Sequence, residues 1–130
     1  MNSKRMSKEW TRELQHCIDD CLDCYRICAE TLTYCLESGW RHHHAELLKL
    51  LMDCMELCQA SSNFMMRASD LHKHVCAACS AACDRCAESC EEFENDEILM
   101  MCGDACLRAA ESCKEVSASR FHAELRSHTH

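Results

Sequence analysis

Residues 76–90 read CAACSAACDRCAESC and hold five cysteines, separated by steps of 3, 4, 3 and 4. This spacing is typical of the buried stripe of an α-helix in a bundle, a stripe that leucine usually fills. The chain has no proline and only two glycines, fewer than sheets and tight turns usually need. The stretch therefore predicts a long helix that turns a row of thiols toward the interior of a helical bundle.

The same spacing recurs in three other segments, so the sequence predicts four amphipathic helices joined by short connections. Gly39 is a candidate stop for the first helix, and Ser69 or Asp70 a candidate N-cap for the third. The predicted fold is all-α: an up-down-up-down four-helix bundle with a cysteine-lined core in residues 1–117, followed by a loose tail at 118–130. The helices are expected at about 7–38, 43–67, 70–93 and 96–116.

Charge and composition exclude several classes of partner. The formal net charge is -8 with neutral histidines, which argues against nucleic acid and against a polybasic membrane contact. No stretch of about 18 apolar residues is present, so no membrane-spanning helix is expected. The first residues show no apolar run followed by a small-residue cleavage site, which favours a cytoplasmic protein.

The fifteen cysteines among 130 residues require an explanation of their own. A single buried cysteine is usually a small hydrophobic residue, but a whole core of thiols would be under-filled and easily oxidised. Disulfides along one helix would be strained, because β-carbons at i and i+4 are about 5–6 Å apart and a disulfide needs about 3.8 Å. Bridges between helices, metal binding and thiol redox chemistry remain open.

Metal binding fits the spacing, because two thiolates at i and i+4 lie one above the other and can hold one ion between them. A single such pair is a weak signal, but six pairs on predicted buried stripes are a strong one. The pairs are Cys17–Cys21, Cys24–Cys28, Cys54–Cys58, Cys79–Cys83, Cys86–Cys90 and Cys102–Cys106.

Charge balance favours Cu(I) among the soft metals. A dry interior tolerates few uncompensated thiolates, and one monovalent ion per thiolate neutralises the site. Zinc and iron–sulfur sites usually take their cysteines from turns and loops, which are scarce here. The alternatives are a zinc or general soft-metal buffer and a thiol redox protein. Nothing singles out one nucleophile with its base, so an enzyme is not expected.

The run CAACSAACDRCAESCEEF with the later MMCGDACLRAAESC resembles the bacterial copper storage proteins, specifically their cytosolic branch. The resemblance is densest over residues 76–113 and extends through the cysteines of residues 17–58. It implies a cysteine-lined four-helix bundle, many Cu(I) ions per chain and assembly into a homotetramer. Cytosolic members tend to carry histidines before the last cysteine-rich helix, whereas this chain has Met100 and Met101 there.

All fifteen cysteines are candidate metal ligands, and two methionines and three histidines join them at the end of the bundle where residues 38–44 and 93–99 meet. The opposite end gathers further soft residues, among them Met65 and His72. Thr31, Ser61 and Ala109 occupy stripe positions that could have held cysteine. The candidate ligands are Cys17, Cys21, Cys24, Cys28, Cys35, Cys54, Cys58, Cys76, Cys79, Cys83, Cys86, Cys90, Cys102, Cys106, Cys113, Met100, Met101, His42, His43 and His44.

Overall fold

The computed structural model describes residues 8–39 and 44–119, without the side chains of residues 8–10. Within these residues the secondary structure consists of four α-helices. They are α1 (Lys8–Glu37), α2 (Ala45–Met66), α3 (His72–Glu91) and α4 (Glu97–Ser117). The all-α fold predicted from the cysteine spacing is confirmed.

The four helices form an up-down-up-down bundle. α1 packs against α2 and α4, and α3 packs against the same two helices. The sulfur contacts give the direction of α1 and α4, since Cys17 lies beside Cys113 while Cys28 lies beside Cys102. Neighbouring helices are therefore antiparallel, as short connections require. None of the described helices is both long and apolar enough to cross a bilayer.

The end of α1 follows from local backbone chemistry. Gly39 has a φ of 77°, a left-handed conformation that glycine adopts without steric cost. Its N–H donates to the carbonyl of Leu36 and closes the last turn of α1. Gly39 thus terminates α1, as its sequence position suggested. The residues that follow, 40–43, lie outside the described residues.

The start of α3 differs from the expectation that Ser69 or Asp70 would cap it. The N-cap is Leu71, and no side chain caps the helix there. Ser69 instead stabilises the preceding turn, because its Oγ accepts the N–H of Leu71 and its carbonyl accepts the N–H of His72. The turn uses residues 69–71, so α3 begins at His72, two residues later than the pattern indicated.

α4 has a conventional side-chain cap. The carboxylate of Asp96 accepts the backbone N–H groups of Ile98 and Leu99, at 2.9 and 3.1 Å. The Tyr34 hydroxyl donates to the other oxygen of the same carboxylate, which joins the end of α1 to the start of α4. The expected C-terminal tail falls mostly outside the described residues, which end at Ser119 just after α4.

Candidate metal centre

Every one of the fifteen cysteines is buried, with at most 1% of its surface exposed, and none forms a disulfide. The stripe one residue further along α1 is only partly covered: Ile18 is buried, Tyr25 is half-buried and Leu22 is exposed. Helical periodicity therefore directs the sulfur stripe inward and leaves the second stripe at the boundary with solvent. The interior of the bundle is a column of free thiols.

The thiols touch one another along the axis of the bundle. Between α1 and α4, Cys21 lies 3.4 Å from Cys113 and Cys28 lies 3.7 Å from Cys106, measured between Sγ atoms. Between α2 and α3, the Sγ of Cys58 lies 3.7 Å from that of Cys79. These separations are close to van der Waals contact, so a small ion bound by one sulfur lies within reach of the next.

Twelve of the cysteines fall into four groups whose sulfur atoms all lie within 4.8 Å of one another. We call Cys17, Cys76 and Cys113 the terminal cluster, because it is the group nearest the α2–α3 connection. Two middle clusters share Cys58. The fourth group supplies four thiols and is called the four-cysteine cluster. The middle clusters are Cys21–Cys58–Cys79 and Cys24–Cys58–Cys83, and the four-cysteine cluster is Cys28–Cys86–Cys102–Cys106.

The clusters run across helices more than along them. Of the pairs expected at i and i+4, Cys24–Cys28 and Cys79–Cys83 are in contact at 3.8 and 3.9 Å. Each of the four clusters, however, takes its sulfurs from three helices. An ion in any of them would therefore cross-link helices, which two thiols of a single helix cannot do.

Three cysteines remain outside the four clusters. Cys54 interacts with sulfurs of the four-cysteine cluster and of a middle cluster, and Cys90 interacts with Cys86 and Cys102. Cys35 stands apart. Burial, with smaller contributions from the negative charges of Asp96 and Cys102, raises the pKa of Cys35 to about 11.

Contact between thiols lowers the pKa of some cysteines and raises the pKa of others. The pKa of Cys76 falls to about 4, chiefly because the Cys113 thiol donates to its sulfur, with smaller contributions from Cys17 and the nearby His72. The pKa of Cys21 falls to about 6 for the same first reason. The pKa of Cys113 rises, chiefly through its hydrogen bonds with the surrounding thiols, that with Cys17 first. One member of a cluster therefore ionises readily while its donor neighbours keep their protons.

The stripe positions without sulfur are also buried. Thr31 and Ala109 are at most 1% exposed, and the Thr31 hydroxyl donates to the carbonyl of Ile27. Ser61 is fully buried, and no group among the described residues forms a hydrogen bond with its Oγ. An unpaired buried hydroxyl costs about 1–3 kcal/mol. Ser61 is therefore a polar group placed in the core with no partner for its hydroxyl in the described part of the chain.

The non-cysteine candidates lie closer to the surface. Met100 and Met101 are 38% and 62% exposed on α4. His44 is half-buried, and its ring meets the edge of Phe93 with centroids 5.0 Å apart. His42 and His43 lie outside the described residues. A metal-binding role for these five residues stays a prediction.

Fold and site together define a class of protein: a helical bundle with an interior of clustered free thiols that can hold several soft metal ions. The family model described as copper storage protein matches residues 10–118. The chain belongs to the copper storage protein family, and the resemblance seen in its sequence is confirmed.

Several known proteins are similar to this chain in sequence or in fold. An uncharacterized cysteine-rich protein, YhjQ of Bacillus subtilis (strain 168), is 31% identical over 80 residues, covering 62% of this chain and 74% of that protein. The Nmul_A1745 protein of Nitrosospira multiformis is 40% identical with a TM-score of 0.76, covering 83% of this chain and 97% of that structure.

Two further solved structures are similar to this chain, and one of them is named as a copper-bound protein. The Cu(I)-bound copper storage protein BsCsp3 is 29% identical with a TM-score of 0.77, covering 82% of this chain and 99% of that one. A histidine-to-alanine mutant of Streptomyces lividans Ccsp has a TM-score of 0.78 at 24% identity, covering 83% and 94% of the two chains. At that identity the Ccsp likeness shows the fold alone.

Proposed function

We propose that this protein stores Cu(I) ions in the thiol column of its bundle, with all fifteen cysteines available as ligands. The observation that carries the proposal is the set of four sulfur clusters, which together occupy most of the length of the interior. Thiolates are soft ligands and select Cu(I) over the harder divalent ions. Membership of the copper storage protein family and the likeness to a Cu(I)-bound relative support the same choice.

Loading exchanges protons for copper. Each thiol that binds releases its proton, so a Cu(I) ion and a thiolate form a neutral pair in the dry core. Each group of thiols contains members whose pKa is lowered by neighbouring thiols, such as Cys76 and Cys21, and these give up their protons more readily. Since thiolates can bridge ions, the expected capacity is about one ion per cysteine, on the order of fifteen per chain.

Zinc is the second candidate, on the strength of one observation. The four-cysteine cluster brings four sulfurs within 4.8 Å of one another, and four thiolates are a common ligand set for tetrahedral Zn(II). The middle and terminal clusters offer three sulfurs each, which suits lower-coordinate Cu(I) better. We therefore expect Zn(II) to bind fewer ions than Cu(I) and to be displaced by it.

Storage accounts for the site better than catalysis does. The thiols are repeated and mutually equivalent in burial, and a reservoir needs capacity where an enzyme needs one distinct reacting group. Fifteen free cysteines also fit a reducing compartment such as the cytoplasm. A homotetramer would cover some of the exposed apolar side chains of α1, such as Leu22 and Leu36.

The test is an anaerobic Cu(I) titration of the fully reduced protein, followed by gel filtration with copper and protein quantified in each fraction. We expect roughly ten or more ions per chain, approaching one per thiol, in a compact species. Saturation at about one to four ions would refute storage and favour a sensor or chaperone. A parallel Zn(II) titration with Cu(I) competition separates the two metals.

A further inference from the structure

The sulfur clusters differ in how many thiols they bring together. The terminal cluster and the two middle clusters hold three sulfurs each, all within 4.8 Å of one another, whereas the four-cysteine cluster holds four. In the terminal cluster the sulfurs come from α1, α3 and α4, and the Sγ atoms of Cys17 and Cys113 are 3.7 Å apart. The chain therefore contains buried three-thiol sites, each assembled across three helices.

The helix that gives no sulfur to the terminal cluster places a hydroxyl at that level. Cys58 of α2 and Cys79 of α3 are in contact, with their Sγ atoms 3.7 Å apart. About one turn from them toward the α2–α3 connection, α3 places Cys76 and α2 places Ser61 on its inward stripe. The Ser61 Oγ is buried without a hydrogen-bond partner among the described residues. The terminal cluster therefore stops at three sulfurs.

The separations between the sulfurs suit one small atom bonded to all three thiols. Three sulfurs bonded in a plane at about 2.3 Å, the length of a zinc–sulfur bond, lie about 4 Å apart, and a pyramid brings them closer together. The 3.7 Å between Cys17 and Cys113 falls in this range, and the 4.8 Å limit of the group exceeds it slightly. Small rotations of the cysteine side chains therefore bring all three sulfurs into bonding distance of one atom.

Charge balance limits which atom can occupy such a site alone. The charges of buried thiolates have to be compensated. A single Zn(II) ion leaves three thiolates with one excess negative charge, and a single Cu(I) ion leaves two, so copper neutralises the site only when several ions share the thiolates. A soft trivalent atom compensates three thiolates by itself. Trivalent arsenic is such an atom, and arsenous acid, its form in water, is a small uncharged molecule at neutral pH.

We propose that the three-thiol sites of this protein also bind trivalent arsenic, taken up as arsenous acid, and that the terminal cluster holds one arsenic atom. The reaction is a condensation without change of oxidation state. Three S–H bonds and three As–O bonds break, three As–S bonds form, and three water molecules leave. The inference goes beyond copper storage and does not depend on it, although arsenic and copper use the same thiols.

The overlap between clusters sets the number of arsenic atoms that the chain can hold. A sulfur bonded covalently to one arsenic atom is not available to a second, and Cys58 belongs to both middle clusters. The middle clusters therefore hold one atom between them, the terminal cluster holds another, and three thiols of the four-cysteine cluster hold a further one. We expect about three arsenic atoms per chain, against about one Cu(I) ion per thiol, because copper accepts bridging thiolates.

The experiment titrates the reduced apo chain with sodium arsenite under anaerobic conditions, with a phosphine as the reductant, and quantifies arsenic and protein after gel filtration. Cys113→Ser and Cys76→Ser each break the terminal cluster and should lower the retained arsenic by about one atom per chain. Cys35→Ser is the matched control and should retain the full amount, because Cys35 is equally buried but belongs to none of the four clusters. Helical circular dichroism of each apo variant shows that it is folded.

Three results would overturn the proposal. Arsenic that separates from the unmodified chain during gel filtration shows that the sites do not hold it. Equal losses in Cys113→Ser and Cys35→Ser show that arsenic binds thiols without regard to the clusters, as does a content of about five atoms per chain, one for every three of the fifteen cysteines. A chain loaded with Cu(I) beforehand should take up little arsenic, and undiminished uptake would place the arsenic outside the thiol column.

Discussion

The two ends of the bundle are made from the same helices but are held together differently. Near the α2–α3 connection the core holds the terminal cluster, Ser61 and Met65, together with the buried aliphatic side chains of Leu14 and Val116. At the opposite end Leu47, Leu51 and Leu99 fill the core, and the Asp96 cap joins α4 to α1. Both ends gain stability from apolar burial in every state, and the end that holds the terminal cluster should gain more when metal binds.

The largest effect we expect is copper loading itself. Each independent site that binds only the folded chain adds about 2.7 kcal/mol to the free energy of unfolding at a free ligand concentration about 100-fold above its Kd. Several filled clusters should therefore make the loaded chain far more resistant to urea than the apo chain. The measurement is anaerobic urea unfolding of both forms, followed by hydrogen exchange.

Hydrogen exchange should locate the gain. Because the clusters cross-link helices, amides of α3 and α4 around Cys76 and Cys113 should gain more protection on loading than amides of α2 around Leu47. Equal gains at both ends would contradict the division of the core into a metal-dependent end and an apolar end.

The second effect is the loss of a leucine from the apolar end. Leu99→Ala removes a fully buried side chain and should lower the stability of the apo chain by about 2–5 kcal/mol. Cys113→Ala removes one small sulfur from the other end and should cost the apo chain less, because a thiol fills less volume than an isobutyl group. Urea unfolding of the reduced apo variants gives both values.

When copper capacity is measured instead of apo stability, the cysteine variant should lose more than the leucine variant. Cys113→Ala breaks the terminal cluster and should lose at least about one ion of capacity, while Leu99→Ala keeps every thiol and should load fully. If the leucine variant lost as much copper as the cysteine variant, the two ends would not be functionally distinct.

A third, smaller effect concerns the cap at the leucine end. Asp96→Ala removes the acceptor for two backbone N–H groups and should cost about 1 kcal/mol. The Tyr34 hydroxyl and those N–H groups hold the pKa of Asp96 below its usual value. The cap therefore contributes fully above the unfolded-state pKa of about 3.9 and is lost as the pH falls through the lower folded-state value.

Apo stability at neutral pH and at about pH 3 checks this sign. The difference between the unmodified chain and Asp96→Ala should shrink as the pH falls. Asp104→Ala, which removes an exposed aspartate further along α4, serves as the control for the loss of one carboxylate from the same helix. A difference that grew toward acid would mean that the carboxylate is not stabilised in the folded chain.

The smallest effect is a gain. Ser61→Cys places a fourth thiol at the level of the terminal cluster and should raise Cu(I) capacity by about one ion per chain. Thr31→Cys, at the other buried stripe position, lies between Cys28 and Cys35 and should add less, because Cys35 belongs to none of the four clusters. The anaerobic titration distinguishes them. A larger gain from Thr31→Cys would indicate that ions collect at the leucine end.

The sequence alone predicted the helices, the inward row of thiols and the family, because each follows from spacing within one segment. The steps of 3 and 4 around Cys83 already require that these cysteines share one helical face. That Thr31, Ser61 and Ala109 lie in the core also follows from that periodicity, and all three are at most 1% exposed. The start of α3 was misplaced because the Ser69 turn uses the polar groups that would otherwise cap a helix.

The partners of each thiol depended on the tertiary structure, because the register between helices sets them. Sequence spacing favoured pairs such as Cys17–Cys21, whereas packing brings Cys17 to Cys76 and Cys113. The sharing of Cys58 between two clusters has no signature in sequence spacing, because it requires α1 and α3 to meet α2 at one level. Local periodicity thus determined that this chain is a thiol-lined bundle, and the relative heights of four separate helices decided which sulfurs form a site.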